Sequence, residues 1–198
     1  MRRWPLPLLL LLVLTLLAAG CAQQKMMRNT PDGKFVYNRF TIHTFRDSSK
    51  DLVASYANYT DPAITVPNIE HKTFPPNTHF RVEKWNRGFK LIQAETGEVI
   101  YYEYSPKRTQ MDVLPYMDLV FSPTPVSLDG LTELDKQGLK AGKAMKGMTK
   151  PGVMAALGYP SPHSTLSLDA DKWVYWTNRF GTRAIFFENG LVVSVSGQ

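Results

Sequence analysis

The chain of 198 residues contains one cysteine, Cys21, so the fold has no internal disulfide to lean on and no cysteine metal site to organise it. Its hydrophobic core must carry the structure alone. Cys21 stands directly behind a basic start, Arg2 and Arg3, and an almost unbroken leucine run from Leu6 to Leu17, closed by the small residues Ala18, Ala19 and Gly20. A basic head, an apolar middle and a small-residue end make a secretory leader, which is excluded from fold reasoning. The run is shorter than the ~20 residues a membrane-spanning helix needs. Residues 1–20 are therefore read as a signal peptide, and the folding problem begins after them.

Fourteen prolines and thirteen glycines divide the rest into small pieces. Residues 21–34 are polar, lack apolar periodicity and end in the turn cluster Asn29-Thr30-Pro31-Asp32-Gly33; they read as a flexible tether. Residues 35–104 hold strand candidates at Arg39 to Phe45, Thr78 to Trp85, Phe89 to Ala94 and Glu98 to Tyr104. In the second of these Phe80 and Val82 alternate with Arg81 and Glu83, the period of a half-buried strand. Lys50 to Asn58 fits neither the helical nor the strand period. Strand number and turn spacing predict a small, half-open β-barrel of SH3-like type. Residues 105–126 carry Pro106, Pro115, Pro123 and Pro125, which forbid a continuous helix and predict a linker. Val113, Leu114, Tyr116, Met117, Leu119, Val120 and Phe121 make it too apolar to hang free, so it packs along a domain or pairs as an edge strand.

Residues 127–198 predict a second domain. Ser127 is a plausible N-cap for a helix whose stripe runs through Leu131, Leu134, Gly138, Ala141, Met145 and Met148. Gly138 and Gly142 either break that helix or serve close packing. A second helix is signalled by Thr149 as cap, Pro151 in the first turn and Gly158 at the end. Strands follow at Trp173 to Asn178, Thr182 to Glu188 and Leu191 to Ser196, the last two joined by Asn189-Gly190, a strong type I′ hairpin signal. Leu191, Val193 and Val195 would share one face. The predicted class is α+β: two C-terminal helices packed on a three-stranded antiparallel sheet, preceded by the small mainly-β domain.

Charge is mildly basic. Without Arg2 and Arg3 the 23 basic side chains fall to 21 against 17 acidic ones, a balance of +4 that suits acidic surfaces or anionic headgroups and gives no warrant for nucleic-acid binding. Lys136, Lys140, Lys143, Lys146 and Lys150 follow one another with no acidic residue between the first and last. On a continuous helix Lys136, Lys140 and Lys143 form a positive ridge, either a docking face or a solvated face that balances Glu133 and Asp135. Trp173, Tyr175, Trp176 and Phe180 are the other candidate partner-binding residues. Neighbours on a strand point to opposite faces, so these aromatics cannot all enter one core. One set either anchors a partner or lies under the linker.

Catalytic signatures are missing. His43, His71, His79 and His163 lack the spacing of metal ligands, no Gly-x-Ser-x-Gly elbow occurs, and no glycine loop cradles a phosphate. Glu98 and Glu103, five residues apart, fall on opposite faces of an extended strand. No catalytic residue, cofactor or metal is expected, and an enzyme with a cleft between the two domains stays as the alternative.

Two resemblances sharpen this reading. Leu17-Ala18-Ala19-Gly20-Cys21 resembles a bacterial lipoprotein signal, which implies acylation of Cys21; Ala22 behind it then favours the outer membrane over the inner. Gly147-Met148-Thr149, Val153, Leu157-Gly158, Pro160, Trp173 with Tyr175, and Phe187 with Asn189-Gly190 resemble the BamE-like SmpA/OmlA family over roughly Leu131 to Val195. That resemblance implies the two-helix, three-stranded fold and a non-enzymatic outer-membrane lipoprotein. Its expected partners are other envelope proteins, including the outer-membrane assembly machinery, with a lipid anchor at the membrane. The family lacks about a hundred residues that precede the domain here. A peptidoglycan- or ligand-binding lipoprotein is the second reading, since small SH3-like barrels can grip cell wall.

Overall fold

The computed structural model describes residues 29–47, 49, 51–61 and 69–196. The expected signal peptide, the expected lipidation site Cys21 and most of the expected tether lie outside the described residues. Seven strands come first: β1 (Phe35–Asn38), β2 (Ile42–Arg46), β3 (Leu52–Ser55), β4 (His71–Phe74), β5 (His79–Trp85), β6 (Gly88–Gln93) and β7 (Val99–Glu103). Two short helices, α1 (Pro106–Thr109) and α2 (Val113–Val120), lead to β8 (Phe121–Ser122). Then come α3 (Glu133–Ala141), α4 (Lys150–Leu157), β9 (Lys172–Trp176), β10 (Thr182–Glu188) and β11 (Leu191–Val195).

The first eight strands form one curled mixed sheet in the order β4-β2-β3-β7-β6-β5-β1-β8, and the last three a separate sheet in the order β11-β10-β9. This overturns the expected α+β class. The molecule is mostly sheet, with four short helices among the described residues, and the first unit is an eight-stranded half-barrel instead of a small SH3-like domain. Two physical reasons account for the difference. Residues 105–126 are not a free linker but, as their apolar content predicts, pack along the first unit and end in the edge strand β8; Pro106 opens α1 and Pro115 falls in the first turn of α2, where a missing N–H goes unnoticed. Val113, Tyr116, Met117 and Val120 then enter the core beside Phe80, Phe89, Leu91, Ile100 and Tyr102. In the C-terminal unit, α3 packs on α4 more than on the sheet: its buried residues are Asp135 and Gly138, which face Gly152 and Met148.

Lys50 to Asn58 contains β3, whose four residues are all buried and which pairs parallel to β7 with Leu52 opposite Ile100. A strand covered on both faces loses the alternation that would announce it. The helix expected from Ser127 starts later, at the N-cap Thr132, and stops at Gly142, whose φ of 60° ends it in the left-handed region. Lys143 thus lies beyond the helix, and no continuous ridge joins it to Lys136 and Lys140. The Asn189-Gly190 turn has φ of 51° and 77°, as a type I′ hairpin requires. A bulge beside Phe186 and Phe187 shifts the register of β11, so Val192 and Val195 pack inward while Leu191 and Val193 are exposed. The expected shared face of Leu191, Val193 and Val195 is broken by that single extra residue.

Asp135 organises the start of both C-terminal helices. Its carboxylate accepts from the Thr132 N–H at 2.9 Å, the Thr149 N–H at 2.8 Å and the Thr149 hydroxyl at 2.9 Å, while Thr132 Oγ1 accepts from the Asp135 N–H at 3.1 Å. One side chain closes the capping box of α3 and fixes the N-cap of α4. Burial alone would raise this carboxyl, but the donors from Thr132 and Thr149 outweigh it and hold Asp135 below the ordinary carboxylate range. Gly152 is the only residue type that fits opposite, because a Cβ there would stand 2.0 Å from Asp135 Oδ1. We predict that Asp135→Ala lowers stability by about 3 kcal/mol, seen as a lower urea midpoint at unchanged slope, because three donors lose a charged acceptor.

Candidate functional site

The two units keep separate hydrophobic cores. The first gathers residues from Phe40 to Phe121, the second from Ala144 to Val192, and no residue belongs to both. What joins them is a polar seam at the C-terminus of α4. A helix leaves its last four carbonyls without intrahelical donors, and here the first unit supplies most of the replacements. The Ala155 carbonyl accepts from both the N–H and the hydroxyl of Thr41, at 2.9 and 3.0 Å. The Ala156 carbonyl receives His43 Nε2–H at 3.0 Å, and the Leu157 carbonyl receives Asn58 Nδ2–H at 2.8 Å. Gly158, with φ 77°, turns the chain out of the helix against the Phe40 ring, and its own carbonyl accepts from the Tyr175 hydroxyl at 3.1 Å.

Asn58 is the hub of this arrangement. Its Nδ2 also donates to the Thr41 carbonyl at 2.9 Å, and its Oδ1 accepts from the His43 N–H at 2.9 Å. Its φ of 44° suits asparagine, which tolerates the left-handed region. Further along, the Thr60 and Asp61 N–H groups donate to the carbonyls of Trp176 and Thr177 at 3.1 and 2.9 Å, sealing the edge of β9, and Asp61 stands 3.5 Å from Arg183.

His43 is fully buried within the seam. A carbonyl can only accept, so Nε2 carries the proton, and Nδ1 faces His71 Nε2 at 3.1 Å with the two rings stacked at 5.2 Å. Neutral His43 therefore accepts at Nδ1 and His71 donates. Desolvation is the largest influence on His43; it outweighs the Ala156 hydrogen bond and, with a smaller contribution from neighbouring His71, lowers the pKa to about 4. His71 is lowered too, by burial first, with Asp61 pulling it up and Lys143 pushing it down. Among the described residues no group of three or more His, Cys, Asp or Glu side chains is placed to hold a metal ion.

The expected partner-binding residues divide in two. Trp173 and Tyr175 are buried in the second core, Trp173 edge-on to Phe187 at 4.9 Å, so they are packing residues and not surface anchors. Trp176 is half-buried. Phe180 is 82% exposed at the tip of the β9–β10 hairpin, where Asn178 Oδ1 accepts from the N–H groups of both Phe180 and Gly181 at 2.9 Å and stiffens the loop. Lys136 is paired with Glu133 at 2.7 Å on the surface, while Lys140 and Lys143 are exposed on and beyond the end of α3. The structure does not bring the lysines and the aromatics together into one site.

Sequence reasoning missed Thr41, His43, Asn58, His71 and Asp135. Of these only Asp135 had a readable signal, the Thr132-x-x-Asp135 spacing of a capping box. His43 and His71 meet because β2 pairs with β4, Phe45 opposite His71, across a connection that spacing rules do not see. No protein-family model, no curated protein and no solved structure matches the chain. We predict that Asn58→Asp, which turns a carboxylate oxygen toward the carbonyls of Thr41 and Leu157, lowers stability by about 3 kcal/mol at neutral pH, measured by thermal or urea unfolding.

Proposed function

We propose that this protein is a lipid-anchored, non-enzymatic lipoprotein of the bacterial outer membrane that binds other envelope proteins on the periplasmic side. The observation that carries the reading is Leu17-Ala18-Ala19-Gly20-Cys21 behind a basic, leucine-rich leader, with the chain's single thiol at the position a lipid would take. The series from Gly147 to Gly190 that resembles the BamE-like family supports a role beside the outer-membrane assembly machinery.

The surface agrees with a binding role. Phe180 offers a large apolar contact on a stiff loop, with Arg179 exposed beside it, and a pre-ordered aromatic loses little entropy on docking. Lys140 and Lys143 add positive charge that steers toward an acidic partner. Among the described residues no helix is long and apolar enough to cross a membrane. Attachment in this reading therefore rests on acyl chains at Cys21, and one chain alone gives only marginal binding, so a multiply acylated cysteine is expected.

Two outcomes are expected in the native host. Mass spectrometry of the purified protein finds acyl chains on Cys21, and Cys21→Ala moves the protein from the membrane fraction to the soluble one. An unmodified thiol, or membrane attachment that survives the substitution, refutes the anchor. A photocrosslinker at Phe180 then captures envelope proteins, whereas crosslinks to peptidoglycan fragments alone favour a cell-wall-binding module.

A further inference from the structure

The seam between the two units is built almost wholly from hydrogen bonds to carbonyl oxygens, and one of its donors is a titratable ring. Every other donor on α4's last turn is insensitive to pH in the physiological range: Thr41 through its N–H and hydroxyl, Asn58 through its amide, Tyr175 through a hydroxyl that burial raises well above its ordinary range. His43 alone can change its charge. It is also the donor least able to do so in place, because it is enclosed between β4 on one side and the ends of α3 and α4 on the other. A Cβ at Gly142 would stand 3.2 Å from Cε1, so the end of α3 packs closely against the ring.

The proton pattern of the pair makes the constraint specific. With Nε2–H committed to the Ala156 carbonyl, Nδ1 is free only to accept, and it accepts from His71 Nε2–H. A proton added to His71 goes to its other nitrogen and leaves this bond intact. A proton added to His43 forces neutral His71 to shift its own proton to Nδ1 so that Nε2 can accept, or sets two N–H groups against each other across 3.1 Å when His71 is protonated as well, and in either case it places a cation in a desolvated site. The charged groups around the pair do not compensate. Asp61 favours protonation of His71 but is shared with Arg183 at 3.5 Å, and Lys143, after the end of α3, opposes it. The α4 carbonyl end already has its bond with Nε2 and gains no second donor from the extra proton.

We propose that the His43–His71 pair is a proton-operated latch between the two units: neutral, it clasps the C-terminus of α4 to the eight-stranded sheet, and protonated, it lets the seam open. Opening exposes polar groups that water can satisfy, while each unit retains its own apolar core, so release does not require unfolding. In the open state His43 regains its ordinary pKa near 6.5, whereas in the closed state it binds a proton only near pH 4. Above pH 6.5 both states are neutral and the latch is at full strength. Between those limits the open state binds a proton that the closed state does not, so the opening constant rises about tenfold for each pH unit of acidification.

Hydrogen exchange on the full chain between pH 7.5 and 4.5 tests this, with protection factors referred to unstructured-peptide rates at each pH. The amides of Thr41, Thr60 and Asp61, which donate across the seam, are expected to lose protection about tenfold per unit below pH 6.5, while Val82 and Leu91 in the eight-stranded sheet keep theirs. His43→Gln keeps an amide N–H for the Ala156 carbonyl and leaves only His71 to titrate in the pair, so its seam protection should fall much less steeply with acidification than the wild type's. Constant seam protection in the wild type, equal loss in His43→Gln, or simultaneous loss at Val82 and Leu91 each overturns the proposal. Should the variant not fold, the wild-type ring protons of His43 followed by NMR decide: their titration must share its midpoint with the loss of seam protection, and a different midpoint overturns the latch.

Discussion

Everything in the arrangement of the two units depends on where the last carbonyls of α4 find their donors. A helix of eight residues that ends inside a protein must hand four acceptors to something, and here Thr41, His43 and Asn58 of the first unit take three of them. The joint is directional where an apolar interface would be forgiving. Hydrogen bonds set a register between the units to within a fraction of an ångström, whereas two greasy faces would tolerate sliding. Phe40 against Tyr159, edge-on at 5.8 Å, is the main aromatic contact beside it. Such an interface resembles a transient protein contact more than the inside of a domain.

The same economy of polar groups recurs at the other end of α4. Asp135 serves two helix starts at once, and Lys150, a cation at the unfavourable positive end of a helix, is turned over the rings of Trp173 and Phe187 at 5.7 and 5.3 Å, with the Asp169 carbonyl as its hydrogen-bond acceptor. This accounts for the burial of Trp173 without invoking a partner. One helix is thus held by a carboxylate at its beginning and by a foreign sheet at its end, and its interior face, Val153, Ala156 and Leu157, fills the second core.

The sequence was legible wherever the physics is local. The meander of β5, β6 and β7, the Thr149 and Gly158 boundaries of α4 and the Asn189-Gly190 turn each follow from residues within a few positions of one another. The reading failed where the chain meets itself at a distance. β3 lost its alternation because it is buried on both faces, and residues 105–126 looked like a linker because proline density was weighed without asking which turn each proline occupies. The bulge in β11 inverted a face that strict alternation had assigned. The seam was invisible for a plainer reason: a threonine, a histidine and an asparagine become helix caps only when another segment delivers carbonyls to them, and no short motif encodes that meeting. Lys143 misled in the opposite way, since its spacing from Lys136 and Lys140 matters only if Gly142 does not end the helix between them.

The strand order carries one more consequence. β1 lies between β5 and β8, with Tyr37 opposite both His79 and Ser122, so the first strand among the described residues finds its outer neighbour only after Phe121 and Ser122 have emerged. Nearby pairings such as β5 with β6 close over a short turn, while β1 and the parallel β3–β7 pair wait for long loops whose closure entropy must be met first. A nascent chain halted before residue 121 would therefore carry an open ladder of unpaired amides along its earliest strand, the kind of surface that sticks to other chains. Handing over a completed polypeptide before it is allowed to collapse avoids that hazard.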